Sequence, residues 1–258
     1  MMTVGGGSSS LKVQREIVPL DGIKDACGNL TVEYERGYVG DVTGDYNGVK
    51  TGQDLSESRN AKTLIKDACK KAKNADAVIF IGGLNKSDHQ DCEGADRLSL
   101  DLPYNQNDVI EALAKVNKNL VVVLVSGNAV SMPWVKEVPS IVEAWYCGSQ
   151  AGLALSDVLF GKVNPSGKLP MTFPVKLEDN GAHALDAFHP HSEREVYKEG
   201  IFVGYRWAQK YDIQPLFAFG HGLSYTTFSY SEVKSDKRVI SENDTLTVSV
   251  NVKNTGDR

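Results

Sequence analysis

The sequence is short of cysteine, of long apolar runs and of positive charge, and each shortage removes a class of protein. Its four cysteines, Cys27, Cys69, Cys92 and Cys147, make no C-x-x-C pair and no zinc-finger spacing, so they read as scattered buried or half-buried thiols. An even number leaves disulfides open. The longest apolar stretch, Leu120 to Val125, falls far short of the ~20 residues of a membrane-spanning helix. With 28 Lys+Arg against 33 Asp+Glu the net charge is −5. Without a Lys/Arg-dense run, neither nucleic acid nor an anionic membrane is the expected partner. The first ten residues have neither the basic nor the apolar region of a secretory signal. Dinucleotide, P-loop and nucleophile-elbow motifs are all missing, which weakens nucleotide binding and a serine nucleophile as readings. The N-x-[ST] matches at Asn29, Asn85 and Asn243 are too common by chance to imply glycosylation.

What is present is an ordinary globular composition, 258 residues with 41% hydrophobic and 24% charged, enough for one large domain or one domain and part of a second. The middle alternates strands and helices. Ala77–Ile81 and Leu120–Val125 are unbroken apolar runs, the mark of strands covered on both faces, and Ser140–Tyr146 reads as a third. Ala61, Leu64, Ile65, Ala68 and Cys69 recur at helical spacing; so do Val109, Ile110, Leu113 and Val116, on a helix starting near Tyr104. Ala151–Phe160 is a helix that Gly161 can end, and residues 164–167 (Asn-Pro-Ser-Gly) read as a turn. This rhythm predicts an α/β fold, a mostly parallel sheet flanked by helices. Near the end, Leu246, Val248, Val250 and Val252 alternate with polar residues, as in a half-buried antiparallel strand. A sandwich needs ~100 residues, so residues 229–258 are expected to be an incomplete all-β domain after an α/β domain at 1–228.

Between Gly82-Gly83 and the helix near Tyr104 lie about twenty residues, a length that in a compact domain is usually functional or disordered. This loop leaves the carboxyl end of a parallel strand, where open α/β sheets place ligands. It carries Asp88, Asp91, Glu93, Asp96 and Asp101, with His89 and Arg97. Three readings stay open: a carboxylate doing acid/base or nucleophilic work, a solvated acidic loop, and a metal site, although the EF-hand register is broken at residues 91–94. Trp134, Trp145 and Trp207 could stack on a sugar ring but suit core packing better. His189 and His191 read as solvated loop residues.

Several segments together resemble the second domain of glycoside hydrolase family 3, the β-glucosidase and β-xylosidase family. They are Glu93-Gly94-Ala95-Asp96-Arg97 followed by Leu100-Asp101-Leu102-Pro103 and Gln106; Trp145 to Gly148; Asp157 to Gly161; Asn164 to Pro170; Thr172-Phe173-Pro174; Tyr197 to Arg206; and Phe217 to Thr226. The opening Gly5-Gly6-Gly7-Ser8-Ser9 resembles the family's entry into this domain. Cys147 stands where the family often has Pro, and Cys92 where Ser or Gly commonly precedes the Glu.

The resemblance implies an α/β sandwich domain at 1–228 and the start of a fibronectin-III-like domain at 229–258. It also implies an N-terminal barrel that holds an Asp nucleophile and is a partner absent from this sequence. It further implies retaining hydrolysis of β-linked glucosides or oligosaccharides, with β-xylosides as the alternative substrate and no metal or organic cofactor. Glu93 maps onto the general acid/base, Asp91 is its rival, and Asp96 and Arg97 are expected to brace the loop as an ion pair. The Glu93 pKa is expected to rise once the loop closes on the barrel. A periplasmic or secreted location is favoured over a cytoplasmic one for the full-length enzyme. Two other function classes remain: a non-catalytic carbohydrate-binding or scaffold module of the same fold, and a flavodoxin-like nucleotide binder resting on Gly82-Gly83.

Overall fold

A six-residue strand buried on both faces organises the molecule. The computed structural model describes residues 7–8, 13–40, 45–46, 49–50, 56–188 and 193–258, with backbone alone at 45–46 and 49–50; Gly5, Gly6, Ser9, His189 and His191 lie outside the described residues. In chain order the elements are α1 (Pro19–Ala26), β1 (Asp45–Tyr46), β2 (Val49–Lys50), α2 (Ala61–Ala72), β3 (Val78–Gly83), α3 (Gln106–Val116), β4 (Leu120–Val125), β5 (Ser140–Glu143), α4 (Ala151–Leu159), α5 (Gly181–Ala184), α6 (Tyr205–Lys210), β6 (Phe228–Ser235) and β7 (Val248–Asn254).

The main sheet has the order β3-β4-β5 and is parallel throughout. Its register runs from Val78 opposite Leu120 to Gly83 opposite Val125, and from Val121 opposite Ser140 to Leu124 opposite Glu143. Leu120, Val122 and Leu124 share one core with Val109, Ile110 and Leu113 of α3 and Ala68 and Ala72 of α2, while Val123 and Val125 are buried on the opposite side of the strand. Apolar side chains on both alternations are what a parallel strand between helices requires. The α2 helix starts where the Asn60 side chain accepts from the Thr63 amide at 3.0 Å, and it carries Lys70 and Lys71 in its last turn, where cations offset the helix dipole.

Three local readings change. The third strand ends at Glu143 rather than Tyr146, because Trp145 takes φ +50° and turns the chain off the ladder. The α3 helix starts at Gln106, two residues late, since Tyr104 and Asn105 are both left-handed. Residues 164–167 make no turn; Asn164 instead accepts from the Tyr225 amide at 2.7 Å, tying two distant segments. As expected, Gly161 follows α4 at φ +69°. Trp134 and Trp207 are buried, and Trp134 Nε1 donates to Asn107 at 2.8 Å. All four cysteines are free thiols; Cys147 is exposed rather than half-buried.

The Gly82-Gly83 pair has a packing explanation. A Cβ on Gly82 would lie 2.1 Å from Gln106 Oε1, and one on Gly83, at φ +132°, would lie 2.0 Å from the Val125 carbonyl. Gln106, fully buried, accepts from the Gly83 amide at 2.8 Å and donates to the Gly83 and Pro103 carbonyls at 2.8 and 3.0 Å. The glycines make room for that amide clamp.

Following Gly220, β6 and β7 form a separate antiparallel ribbon, with every residue from 227 to 258 exposed. Its base is pinned where Thr226 Oγ1 donates to Asn254 at 2.7 Å and the Thr255 amide to the Thr227 carbonyl at 2.8 Å.

Helices α1 and α4 meet backbone to backbone. A Cβ on Gly22 would lie 2.1 Å from the Gly152 carbonyl oxygen, and one on Gly152 2.3 Å from that of Val18. The Gly152 amide donates to Ile17 O at 2.9 Å. Because backbone cannot yield as a side-chain tip does, Gly152→Ala is expected to destabilise the protein by about 1–3 kcal/mol, read as a lower denaturation midpoint with unchanged slope.

Candidate active site at the carboxyl edge of the sheet

The segment joining β3 to α3 is an internally bonded unit. The Leu84 amide donates to Val125 O and the Asp91 amide to Asn85 O, both at 2.9 Å. The Tyr104 hydroxyl accepts from Gln90 Nε2 at 2.6 Å and Asn85 Nδ2 at 3.0 Å. The loop thus stands fixed above the carboxyl ends of the strands.

Its two leading carboxylates occupy opposite environments. Glu93 is exposed, beside the exposed Gly94. The Ser8 amide and hydroxyl both donate to Glu93 Oε2. Gly7, at φ +96°, lies so close that a Cβ there would sit 2.3 Å from Glu93 Cβ. The Ser8 donors hold the Glu93 carboxyl below its ordinary range, the opposite direction from the rise a proton donor needs. Asp91 is buried: its Oδ2 accepts from the Gly127 amide at 2.6 Å and the Tyr146 hydroxyl at 2.7 Å, its Oδ1 from Asn128 Nδ2 at 3.1 Å.

The expected Asp96–Arg97 ion pair does not form. Arg97 turns inward, donating from Nη1 to the Ala129 carbonyl at 2.6 Å with its Nη2 buried and unpartnered, and Asp91 is the foremost negative charge acting on it. Asp96 stays exposed; its carbonyl meets His89 Nδ1 at 2.8 Å. The Ala129 carbonyl has taken the Arg97 guanidinium that the pair would need. Asp88 and Asp101 are also exposed, and Asp101 accepts from the Ser131 hydroxyl.

One group escaped the reading of the sequence. Glu143, the last residue of β5, accepts at Oε1 from the Trp145 amide at 3.1 Å and the Ser126 hydroxyl at 3.2 Å, while its Oε2 is buried without a partner. Burial, helped by the nearby Asp91 charge, pushes its pKa up to about 8. Tyr146 is likewise raised, chiefly by burial and then by Asp91. A lone carboxyl closing the apolar run Ile141-Val142 was the available signal. Among the described residues, no group of three His, Cys, Asp or Glu side chains is placed to hold a metal ion, and no helix is long and apolar enough to cross a membrane.

Comparison with known proteins places this edge in a family. The model of the glycosyl hydrolase family 3 C-terminal domain matches residues 1–205. The chain belongs to glycoside hydrolase family 3. It is 53% identical over 257 residues to Beta-glucosidase BoGH3A of Bacteroides ovatus, covering 99% of this chain and 34% of that protein. It is also similar to the crystal structure of the Bifidobacterium adolescentis GH3 beta-glucosidase, with TM-score 0.79 and 35% identity over 97% of this chain and 34% of that one. The beta-glucosidase of Kluyveromyces marxianus in complex with glucose matches with TM-score 0.71 and 40% identity over 79% of this chain and 24% of that one. The chain therefore spans about a third of BoGH3A, and within family 3 it corresponds to the C-terminal domain.

The family 3 segments Asp157 to Gly161, Asn164 to Pro170 and Phe217 to Thr226 bond to one another in this fold. The Gly220 amide donates to Leu169 O and the Leu169 amide to His221 O, both at 2.8 Å, and the Tyr225 hydroxyl donates to the Val158 carbonyl at 3.0 Å. They fasten the C-terminal segment to α4 through Val158 and to the stretch after it through Leu169.

The half-buried Glu143, with its Oε2 out of reach of solvent, makes a prediction about pH. Its folded pKa of about 8 lies above the ordinary 4.5, so between those values the folded chain binds a proton that the unfolded chain has released, and stability falls as pH rises through that window. Glu143→Gln, neutral at every pH, is expected to remove this slope: its Tm should gain on the wild type from pH 5 to pH 8, as thermal denaturation at several pH values would measure. Parallel pH profiles would contradict a neutral Glu143.

Proposed function

We propose that this chain contributes the general acid/base loop of a retaining β-glucosidase, with Glu93 as the proton shuttle. The observation that carries the reading is the contrast between the two rivals on one loop: Asp91 is buried with its lone pairs taken by three donors, whereas Glu93 stands exposed beside Gly94 at the carboxyl edge of the sheet. A group that must give a proton to a departing oxygen and then take one from water has to be reachable. Family membership and the β-glucosidase relatives, one of them solved with glucose, support terminal β-linked glucose as the substrate class.

In this mechanism Glu93 protonates the glycosidic oxygen while a carboxylate on an N-terminal barrel attacks the anomeric carbon; Glu93 then deprotonates the water that releases the sugar. The two carboxyls would stand ~5–5.5 Å apart. The Ser8 donors stabilise ionised Glu93, so the first step requires Glu93 to leave them for the substrate and a drier setting, in which its pKa rises. Residues 229–258 read as the opening strands of a fibronectin-III-like domain.

In the full-length protein, Glu93→Ala is expected to slow hydrolysis of alkyl β-glucosides by ~10²–10⁴-fold and to affect aryl glucosides with activated leaving groups far less, since these depart without protonation. Equal losses on both would exclude Glu93 as the acid. A preference for β-xylosides in the same assay would replace the substrate while keeping the mechanism. Residues 1–258 alone, lacking the nucleophile, should show no turnover.

A further inference from the structure

Asp91 stands two residues before Glu93, yet its carboxylate takes all three of its donors from outside its own loop: Gly127 and Asn128 follow β4, and Tyr146 follows β5. Its backbone amide, in turn, holds Asn85, just beyond the end of β3. A single residue therefore touches the carboxyl ends of all three parallel strands, and its carboxylate joins the turns after β4 and β5. The fit is close: a Cβ on Gly127 would lie 3.3 Å from the Tyr146 ring and 3.4 Å from the Asp91 carboxyl. The charges that act on or near it are the Arg97 guanidinium, which is bonded to Ala129 rather than to Asp91, and the Glu143 carboxyl, with Tyr146 and Cys147 as the remaining titratable groups nearby. Charge-assisted hydrogen bonds are the strong ones, and here two of them converge on one oxygen.

Resting on the assignment of Glu93 as the acid/base, we propose that Asp91 is its positioning residue: it anchors the loop to the turns after β4 and β5 and so fixes where Glu93 stands above the sheet edge. The chemistry calls for a carboxylate. An asparagine of the same shape can keep its oxygen toward Gly127 and Tyr146 only as a neutral acceptor, so both bonds lose their charge assistance, and the opposite orientation turns the NH2 onto two donors. The loop would then be held more weakly at Gly127 and Tyr146 and open more often, and Glu93, separated from the anchor by Cys92 alone, would lose its fixed place.

Cys92 supplies a reporter that is independent of catalysis, because it is half-buried, with its thiol donating to the Ala95 carbonyl at 3.4 Å. In the full-length protein, alkylation of Cys92 by iodoacetamide would be followed by peptide mass in Asp91→Asn, Tyr146→Phe and Glu93→Gln. Asp91→Asn should speed alkylation by about tenfold or more, the range expected when a hydrogen-bonded buried charge is lost. Tyr146→Phe, which removes a single hydroxyl, should give a smaller rise, and Glu93→Gln none. Asp91→Asn should also lower kcat on alkyl glucosides by about tenfold or more, with KM and the rate on activated aryl glucosides within a few-fold. Wild-type alkylation rates in Asp91→Asn would overturn the proposal; if that variant does not fold, a wild-type rate in Tyr146→Phe would do so. Equal losses on both substrate types would reduce Asp91 to a merely structural role and overturn it as well. Faster alkylation in Asp91→Asn together with a Glu93→Gln enzyme that shows no leaving-group selectivity would mark a different failure, that of Glu93 as the acid, and the positioning role would fall with it.

Discussion

The structure depends on β4 being paired on both edges and buried on both faces. Parallel pairing to β3 and β5 puts three carboxyl ends at one level, and a parallel ladder admits no tight hairpin, so each strand must leave by a longer connection. Those connections are where the acidic loop, the Ser126–Asn128 turn and the Trp145–Cys147 segment arise. Were β4 to slip by one residue against β3, Gly83 would no longer face Val125, whose carbonyl lies where a Cβ at that position would stand. The glycine pair and the glutamine are therefore part of the register rather than of a ligand site.

At that edge the protein sorts its carboxyls by environment. Glu143 lies where burial favours the neutral form. Asp91 is buried, but three hydrogen-bond donors take its carboxylate oxygens. Glu93, with the Ser8 hydroxyl and amide at its tip, keeps its charge at the surface. Neighbouring carboxyls pushed apart in proton affinity are the raw material of acid/base chemistry. In the proposed enzyme the member that moves protons is the exposed one, while the buried members hold the framework beneath it. Family membership supports the proposed substrate class; the division of labour comes from packing and hydrogen bonding.

Much of the α/β core was legible, because Ala77–Ile81 and Leu120–Val125 are apolar without interruption and the helices on either side repeat at helical spacing. What the sequence concealed were the features decided by backbone conformation or by distant partners. Nothing local to Trp145 announces a left-handed residue that ends β5. The destination of Arg97, a carbonyl more than thirty positions along the chain, cannot be inferred from its acidic neighbour. The motif placed Glu93 and Asp91 together without distinguishing them, since exposure is a property of the fold. Glu143 went unread because a carboxyl at the end of a strand looks like a polar terminus until burial is known. The α1–α4 contact escaped for a similar reason: Gly22 and Gly152 reveal their purpose only when the two backbones touch.

The account rests on Glu93 being the carboxyl that reaches the scissile bond from this sheet edge, and the direct measurement is a crystal structure of the full-length protein with a non-hydrolysable thio-linked β-glucoside bound. The account predicts a Glu93 oxygen within ~2.6–3.2 Å of the glycosidic sulfur's position, released from Ser8, while Asp91 still accepts from Gly127 and Tyr146. Glu93 remaining on Ser8 with a different carboxyl at the glycosidic atom would contradict it.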